Sequence, residues 1–366
     1  MKEKSNPLNE DISIHYQPLS KPTDQETLTK ILSNPVTFQH HTDLMLEMEY
    51  NQSWSTPVIK PYANLSIDPA TSALHYAQSI FEGMKVYSQP NGISLFRPLE
   101  HAQRFNLSAS RIGLPTLPTS TFLKLITEFT ISQKEWVPKG RDNSLYLRPL
   151  LFATSPTLRL APSTQAKFLL FGSPVSKLYS KNSISVYVED KLSRASKNGT
   201  GSVKYSGNYG GSMTAATNAA KASCDQVLWL DAAKHKYIEE LSAMNIFFVE
   251  KSQSKTYLVT PKLNSTVLSG ITRSSLLILA NDLGYKVKER DVTIQELISK
   301  IKSGIITELF ACGTMIEVMN ISSLHYKGEN ITLPSKKNSV TNSMQNYLAN
   351  IKHGKIADKH NFNYPL

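Results

Sequence analysis

A chain of 366 residues with 40% hydrophobic and 19% charged residues is too long for one ordinary core. Two globular domains are expected, and a membrane protein is excluded because no stretch approaches the roughly 20 consecutive apolar residues of a spanning helix. The net charge of +11 comes from scattered lysines, not a basic block, so it suits anionic small ligands and gives no ground for a nucleic-acid partner. Cys224 and Cys312 are the only cysteines, and no structural disulfide is expected. The first thirty residues hold Glu3, Glu10, Asp11, Asp24 and Glu26 and no arginine, unlike a mitochondrial transit peptide, and no apolar run there resembles a secretory signal. A reducing cytoplasm is the expected compartment.

The chain opens with an irregular arm to about residue 35, broken by Pro7, Pro18 and Pro22, with one short helix near Glu26 to Leu32. Met45 to Tyr50 and Val58 to Tyr62 read as extended. Ser79 to Tyr87 and Gly92 to Phe96 flank a Gln89-Pro90-Asn91-Gly92 turn, a hairpin signal. Ala102, Phe105, Ala109 and Ile112 recur at helical spacing after Pro98, and Thr119 to Gln133 is a second helix. Ser144 to Thr154 and Lys167 to Gly172 read as strands. The polar stretch from Ser173 to Asn182 is the expected boundary between an N-terminal α/β domain, residues 1–174, and a larger domain, residues 175–366. Beyond it come a strand at Ser183 to Glu189, an Ala-rich helix at Ser212 to Ser223, strands at Val227 to Asp231 and Asn245 to Glu250, and a helix at Ile271 to Leu283 closed by Gly284. Ile305 to Ala311 is a strand before Cys312-Gly313-Thr314. The fold class is mixed α/β, and the strand order is not readable.

Lys204 lies in the polar segment Val203-Lys204-Tyr205-Ser206-Gly207-Asn208-Tyr209, and Glu240 follows 36 residues later. A lysine amine can form an imine with an aldehyde cofactor, a carboxylate can hold a pyridine nitrogen, and a helix start such as Gly270-Ile271-Thr272 suits a phosphate. Taken singly, each has a plainer reading: a surface lysine, a solvated Glu239-Glu240 pair, an ordinary helix cap.

Taken together the segments are more specific. Ala73-Leu74-His75-Tyr76, Phe81-Glu82-Gly83-Met84-Lys85, Leu95-Phe96-Arg97-Pro98, Leu145-Tyr146-Leu147-Arg148-Pro149, Lys204 to Tyr209, Asp225 to Asp231, Met244-Asn245-Ile246-Phe247, Gly270-Ile271-Thr272-Arg273 and Gly313-Thr314 occur in an order that resembles the branched-chain aminotransferases. The resemblance runs from about residue 40 to 330. It implies a two-domain fold-type IV enzyme with pyridoxal 5′-phosphate and no metal. It implies that Lys204 is the Schiff-base lysine and proton shuttle, that Glu240 binds the pyridine nitrogen, and that Tyr209 binds the phenolic oxygen. Arg104, Ile271, Thr272 and Thr314 would hold the phosphate. Tyr146 and Arg148 would bind substrate carboxylates and Phe81 would wall the side-chain pocket. Tyr76 and a loop expected between the domains, Leu158-Arg159-Leu160, would reach the neighbouring subunit of a homodimer.

Several positions depart from the family pattern: His41 in place of a phenylalanine, Ser242-Ala243 in place of glycine-threonine, Met315 in place of an alanine and Arg159 in place of a glycine. The redox Cys-x-x-Cys of some members is absent. Met315 adds bulk, Ala243 removes it and His41 adds a polar group, so these substrate-facing positions bear on side-chain preference. The implied activity is transamination between leucine, isoleucine or valine and 2-oxoglutarate, so the expected partners are amino acids and 2-oxo acids. The alternatives are a D-amino acid aminotransferase, an aminodeoxychorismate lyase-like enzyme, or a non-catalytic protein of the same fold.

Overall fold

The computed structural model describes residues 12–252, 255–334 and 339–366, so the first part of the expected arm lies outside the described residues. The chain divides into two units. One holds the residues up to Leu178, the short segment Lys204–Ser206 and the end of the chain from Ile351; the other holds Tyr179–Val203 and Gly207–Asn350.

The first unit is built on a ten-stranded sheet whose main path runs His15–Tyr16, Val58–Pro61, Leu44–Asn51, Gln165–Val175, Ser144–Ala153, Met84–Gln89, Gly92–Phe96 and Asn363–Pro365. Ser79–Phe81 pairs with Ser144–Ala153 off that path. The hairpin signal is realised as an antiparallel pair closing at Gln89 opposite Gly92, whose φ of +140° favours glycine. Two helices pack on this sheet. Pro98–Arg111 starts with proline in its first turn, where the missing N–H costs nothing, and Thr119–Ser132 follows it. The helical stripe meets the sheet through Phe105, whose ring lies 5.1 Å from Phe122 and 5.7 Å from Phe168 between centroids. All three rings are fully buried.

The second unit carries a nine-stranded mixed sheet, in the order Ile238–Leu241, Gln226–Leu230, Ser183–Glu189, Glu317–Tyr326, Ile306–Gly313, Asn245–Ser252, Lys255–Thr260 and Lys286–Glu289, with Glu329–Thr332 beside Glu317–Tyr326. Two of its parallel pairs are joined across helices, as parallel strands require. Met213–Lys221 connects Ser183–Glu189 to Gln226–Leu230, and Ile271–Asp282 connects Lys255–Thr260 to Lys286–Glu289. Ala215 and Ala219 bury that first helix against Val227 and Trp229. Gly284, φ +76°, ends the second connecting helix as its sequence position indicated. Ile294–Lys302 is a helix with no counterpart in the sequence reading. Its signal is Thr293-Ile294-Gln295-Glu296, and Thr293 Oγ1 accepts the Glu296 N–H at 3.0 Å. Among the described residues no helix is long and apolar enough to cross a membrane.

Phe247 and Phe310 are cross-strand partners in the second sheet, stacked at 5.0 Å with planes 8° apart and wholly buried. Truncating either ring removes both its transfer energy and its stacking partner. Phe310→Ala should therefore cost about 3–5 kcal/mol, read as a lowered urea midpoint. A loss below about 1 kcal/mol would mean that the neighbouring chains collapse into the gap.

Candidate active site

Lys204 is half-buried and belongs to the first unit. Its N–H donates to Ser108 Oγ at 2.9 Å and its carbonyl accepts the Phe81 N–H at 3.2 Å. Tyr205 bridges Ile80 in antiparallel fashion, and Ser206 Oγ donates to Ser79 Oγ at 3.1 Å. The segment thus lies along Ser79–Phe81 and sets the start of the lysine side chain. Lys204 Nζ is 4.4 Å from the centroid of Phe81.

Arg148 shares that ring, with its guanidinium carbon 4.8 Å from the Phe81 centroid. Its Nη2 donates to Tyr146 Oη at 3.1 Å. Tyr146 reaches this place only because residue 83 is glycine: a Cβ there would lie 1.9 Å from Tyr146 Oη. The structure therefore brings Lys204, Phe81, Tyr146 and Arg148 into one cluster, with two cations and a phenol around an apolar ring. That arrangement suits an anionic group attached to an apolar side chain.

Arg104 lies on the Pro98–Arg111 helix and is 9% exposed. Its Nε and Nη2 donate to the two oxygens of Glu82 at 2.7 and 2.9 Å. Ser108, the acceptor for Lys204, donates its hydroxyl to the Arg104 carbonyl at 2.9 Å, so one helix supports both residues.

His41 stacks on Tyr62 at 4.9 Å with planes 8° apart and meets Phe171 edge-on at 5.7 Å. Burial, with a smaller contribution from His40, pushes its pKa below the ordinary value. The neutral ring packs as an aromatic, so the polar character expected of this substitution is muted. Tyr76, Leu158 and Leu160 are exposed, Leu160 at 80%. Tyr76 Oη donates to the Leu158 carbonyl at 2.5 Å. The loop of Leu158 and Leu160 joins Ser144–Ala153 to Gln165–Val175, antiparallel neighbours in the first unit, so it is not a connection between the two units as expected.

In the second unit Glu240 is 4% exposed. Arg194 Nη2 lies 2.6 Å from Glu240 Oε1, while Asn245 Nδ2 and the Leu268 N–H donate to Oε2 at 3.0 and 3.2 Å. Arg194 also donates to the carbonyls of Gly201 and Thr266. Gly201 permits this, since a Cβ there would come within 2.6 Å of the Thr266 carbonyl oxygen. Asn245 Oδ1 sits against Gly270, where a Cβ would lie 2.0 Å away. One asparagine therefore ties the carboxylate to the start of the Ile271–Asp282 helix. Ile271 and Thr272 open that helix, and its N-cap residue is Gly270. Thr314 and Met315 follow the Ile306–Gly313 strand, and a Cβ on Gly313 would lie 3.4 Å from the Ala243 carbonyl, so these two loops are neighbours. Tyr209 is half-buried in the Ser206–Gly210 turn of helix, where its carbonyl accepts the Ser212 N–H and hydroxyl.

Five supporting residues carry no role in the sequence reading: Glu82, His101, Ser108, Arg194 and Asn245. Glu82 and Asn245 stand inside quoted segments, and a charged residue just after an apolar strand was the available signal for Glu82. Nothing local marks Arg194, which acts through residues distant in the chain.

The family described as "Amino-transferase class IV" matches residues 79–324. A curated branched-chain-amino-acid aminotransferase of Mycolicibacterium smegmatis is 38% identical over 363 residues, covering 97% of this chain and 98% of the relative. Among solved structures, a branched-chain aminotransferase of Thermoproteus uzoniensis with norvaline aligns at TM-score 0.72 and 23% identity, covering 88% of this chain and 99% of that one. A T.th. branched-chain amino acid aminotransferase complexed with N-(5′-phosphopyridoxyl)-L-glutamate aligns at TM-score 0.71 and 24% identity, covering 89% of this chain and 99% of that one.

Two buried groups on the first unit make its stability acid-sensitive. Burial lowers the His101 imidazole below its ordinary 6.5, so the unfolded chain takes up this proton first and stability falls as pH drops below that value. Burial would raise the Glu82 carboxyl, but Arg104 outweighs it and holds the group well below its ordinary 4.5. The Glu82 contribution is complete above that ordinary value and is lost as pH falls toward the lower folded one. The melting temperature should thus decline in two stages on acidification from pH 7, and Glu82→Gln should flatten the lower stage. A melting temperature constant from pH 7 to about 5 would contradict the His101 assignment, and one that falls no further on acidification below about 4 would contradict that of Glu82.

Proposed function

Because this chain belongs to the class IV amino-transferases, we propose that it transfers the amino group between leucine, isoleucine or valine and 2-oxoglutarate, with pyridoxal 5′-phosphate as cofactor. The observation that carries this reading is the fixed placement of Lys204, with Nζ over Phe81 in the cluster that also holds Arg148 and Tyr146. The 38% identity with a named branched-chain enzyme over nearly the whole chain supports the substrate class.

The residues fit the cofactor. Glu240 is a buried, ion-paired carboxylate of the kind that accepts a proton-bearing ring nitrogen. The helix beginning at Ile271 has glycine at its N-cap, its N-terminal dipole suits a phosphate, and Thr272 adds a hydroxyl. Thr314 and Arg104 would complete the phosphate donors, and the Tyr209 phenol would donate to the ring oxygen. When bound, pyridoxal phosphate supplies an electron sink for negative charge developing at the amino acid's α-carbon. Lys204 Nζ removes the α-proton and returns it on the other side of the exchange. Arg148 and Tyr146 bind the carboxylate and so orient that C–H bond. Phe81 offers the apolar wall that favours an aliphatic side chain. Met315, Ala243 and His41 set how much of that side chain is admitted.

A homodimer belongs to the same reading. Leu74, Leu158 and Leu160 are 61%, 63% and 80% exposed, and Tyr76 is bonded to the Leu158 carbonyl. Exposed aliphatic groups held in order are the mark of a surface made to be covered.

Borohydride reduction of the purified protein should leave the phosphopyridoxyl label on Lys204 in a peptide map, and Lys204→Ala should keep its fold while losing at least about a thousandfold in transamination rate. Label on another lysine, or a rate within about tenfold of the parent, would refute the assignment. The paired change Leu158→Asp and Leu160→Asp should shift sedimentation from dimer to monomer. A dimer of undiminished stability in that variant would remove this loop from the interface.

A further inference from the structure

His101 and Arg104 stand one turn apart on the Pro98–Arg111 helix and converge on one carboxylate, Glu82, which follows the Ser79–Phe81 strand. Glu82 has no exposed surface. Its Oε1 accepts Arg104 Nε at 2.7 Å. Its Oε2 accepts Arg104 Nη2 at 2.9 Å, His101 Nδ1 at 2.8 Å and the Gly83 N–H at 3.2 Å. Burial alone would raise the Glu82 carboxyl, but the adjacent guanidinium outweighs it, so the group is an anion. Burial keeps His101 neutral, so it contributes a donor without a second charge.

We propose that Glu82, backed by His101, is the positioning residue for Arg104: by occupying the Nε/Nη2 edge it fixes the direction in which the Nη1/Nη2 end meets a phosphate ester. The inference rests on the reading of Arg104 as an arginine for the cofactor phosphate. A guanidinium has two usable edges, and a long flexible side chain can present either. Four donors on one buried carboxylate, two of them from Arg104 itself, remove that choice. Gly83 adds a constraint, because its N–H fixes Glu82 while its bare α-carbon admits Tyr146. One strand end thereby sets both the phosphate arginine and the phenol beside Arg148.

Two effects of Glu82 oppose each other, which makes the proposal decidable. As a neighbouring anion it weakens the attraction of Arg104 for a dianion, so if charge alone mattered its removal would tighten phosphate binding. As a bidentate acceptor it orders the arginine, so if position matters its removal weakens binding despite the gain in net charge.

The test uses the apoprotein and two probes, pyridoxal 5′-phosphate and unphosphorylated pyridoxal, with affinities measured by absorbance titration. Glu82→Gln should weaken pyridoxal phosphate about ten- to a hundredfold and leave pyridoxal within about twofold. Inorganic phosphate should compete with the phosphorylated probe less well in the variant than in the parent. His101→Phe, which keeps the Glu82–Arg104 pair, should give a smaller loss with the same selectivity, and it carries the test if Glu82→Gln does not fold. An equal loss of both probes, or tighter binding of the phosphorylated one, overturns the positioning role. Arg104→Gln separates the two levels of the argument. If it abolishes the preference for the phosphorylated probe while Glu82→Gln does not alter it, only the role of Glu82 fails. If Arg104→Gln leaves the preference intact, the reading of Arg104 fails and the inference falls with it.

Discussion

Both backbone polar groups of Lys204 are held by the first unit, the N–H by Ser108 and the carbonyl by Phe81. This is the constraint on which the site depends. Val203 and Gly207, on either side of the short segment, are grouped with the second unit, so only Lys204–Ser206 of this stretch belongs to the first. Under the proposed function this side chain must meet a reacting carbon, so it cannot be left to its rotamers. Its starting point is fixed by strand pairing to Ser79–Phe81 and by a serine on the helix that also carries Arg104. The same short strand delivers Phe81 under Lys204 and Glu82 to Arg104. A single strand end therefore coordinates the amine, the aromatic wall and the arginine.

Three buried glutamates differ in character because their neighbours differ. Glu82 faces Arg104 and stays ionised against the effect of burial. Glu240 is ion-paired with Arg194 and fixed by Asn245, which leaves it an acceptor. Glu239, its chain neighbour, is raised by burial, which the Thr266 hydroxyl and the charge of Arg194 only partly offset. Burying an anion is costly unless it is paired and hydrogen-bonded, and here Arg104 supplies that pairing to Glu82 and Arg194 to Glu240. Small residues make that geometry possible. Gly201 lets its own backbone approach Thr266, whose carbonyl anchors Arg194, and Gly270 leaves space for the Asn245 amide.

Much of the local structure was legible. The helical stripe after Pro98, the Pro90-Asn91 turn, the strand Ser183–Glu189 and the helix opening at Ile271 follow from periodicity, proline placement and capping chemistry, which act over a few residues. The strands extend beyond their readings where pairing continues past the obvious apolar core, as in Gln165–Val175 against Ser144–Ala153. The Leu158-Arg159-Leu160 loop was expected between the domains from the resemblance alone, and strand pairing across distant residues instead makes it a connection within the first sheet. The aromatic packing of His41, stacked on Tyr62 and edge-on to Phe171, was not legible because it depends on residues elsewhere along the chain.

The sequence by itself determined the chemical inventory: a lysine, a tyrosine, a carboxylate and a helix start, in an order that resembles one family of transaminases. The tertiary structure alone decided the support of that inventory. It selected Glu82 and His101 for Arg104, Arg194 and Asn245 for Glu240, and Ser108 for Lys204. It also returned Ile351–Leu366 to the first unit, where Asn363–Pro365 closes the sheet beside Gly92–Phe96. The reason is physical. Propensity and motif are properties of neighbours in the chain, whereas the charge and direction of a buried side chain are set by whichever groups the fold packs against it.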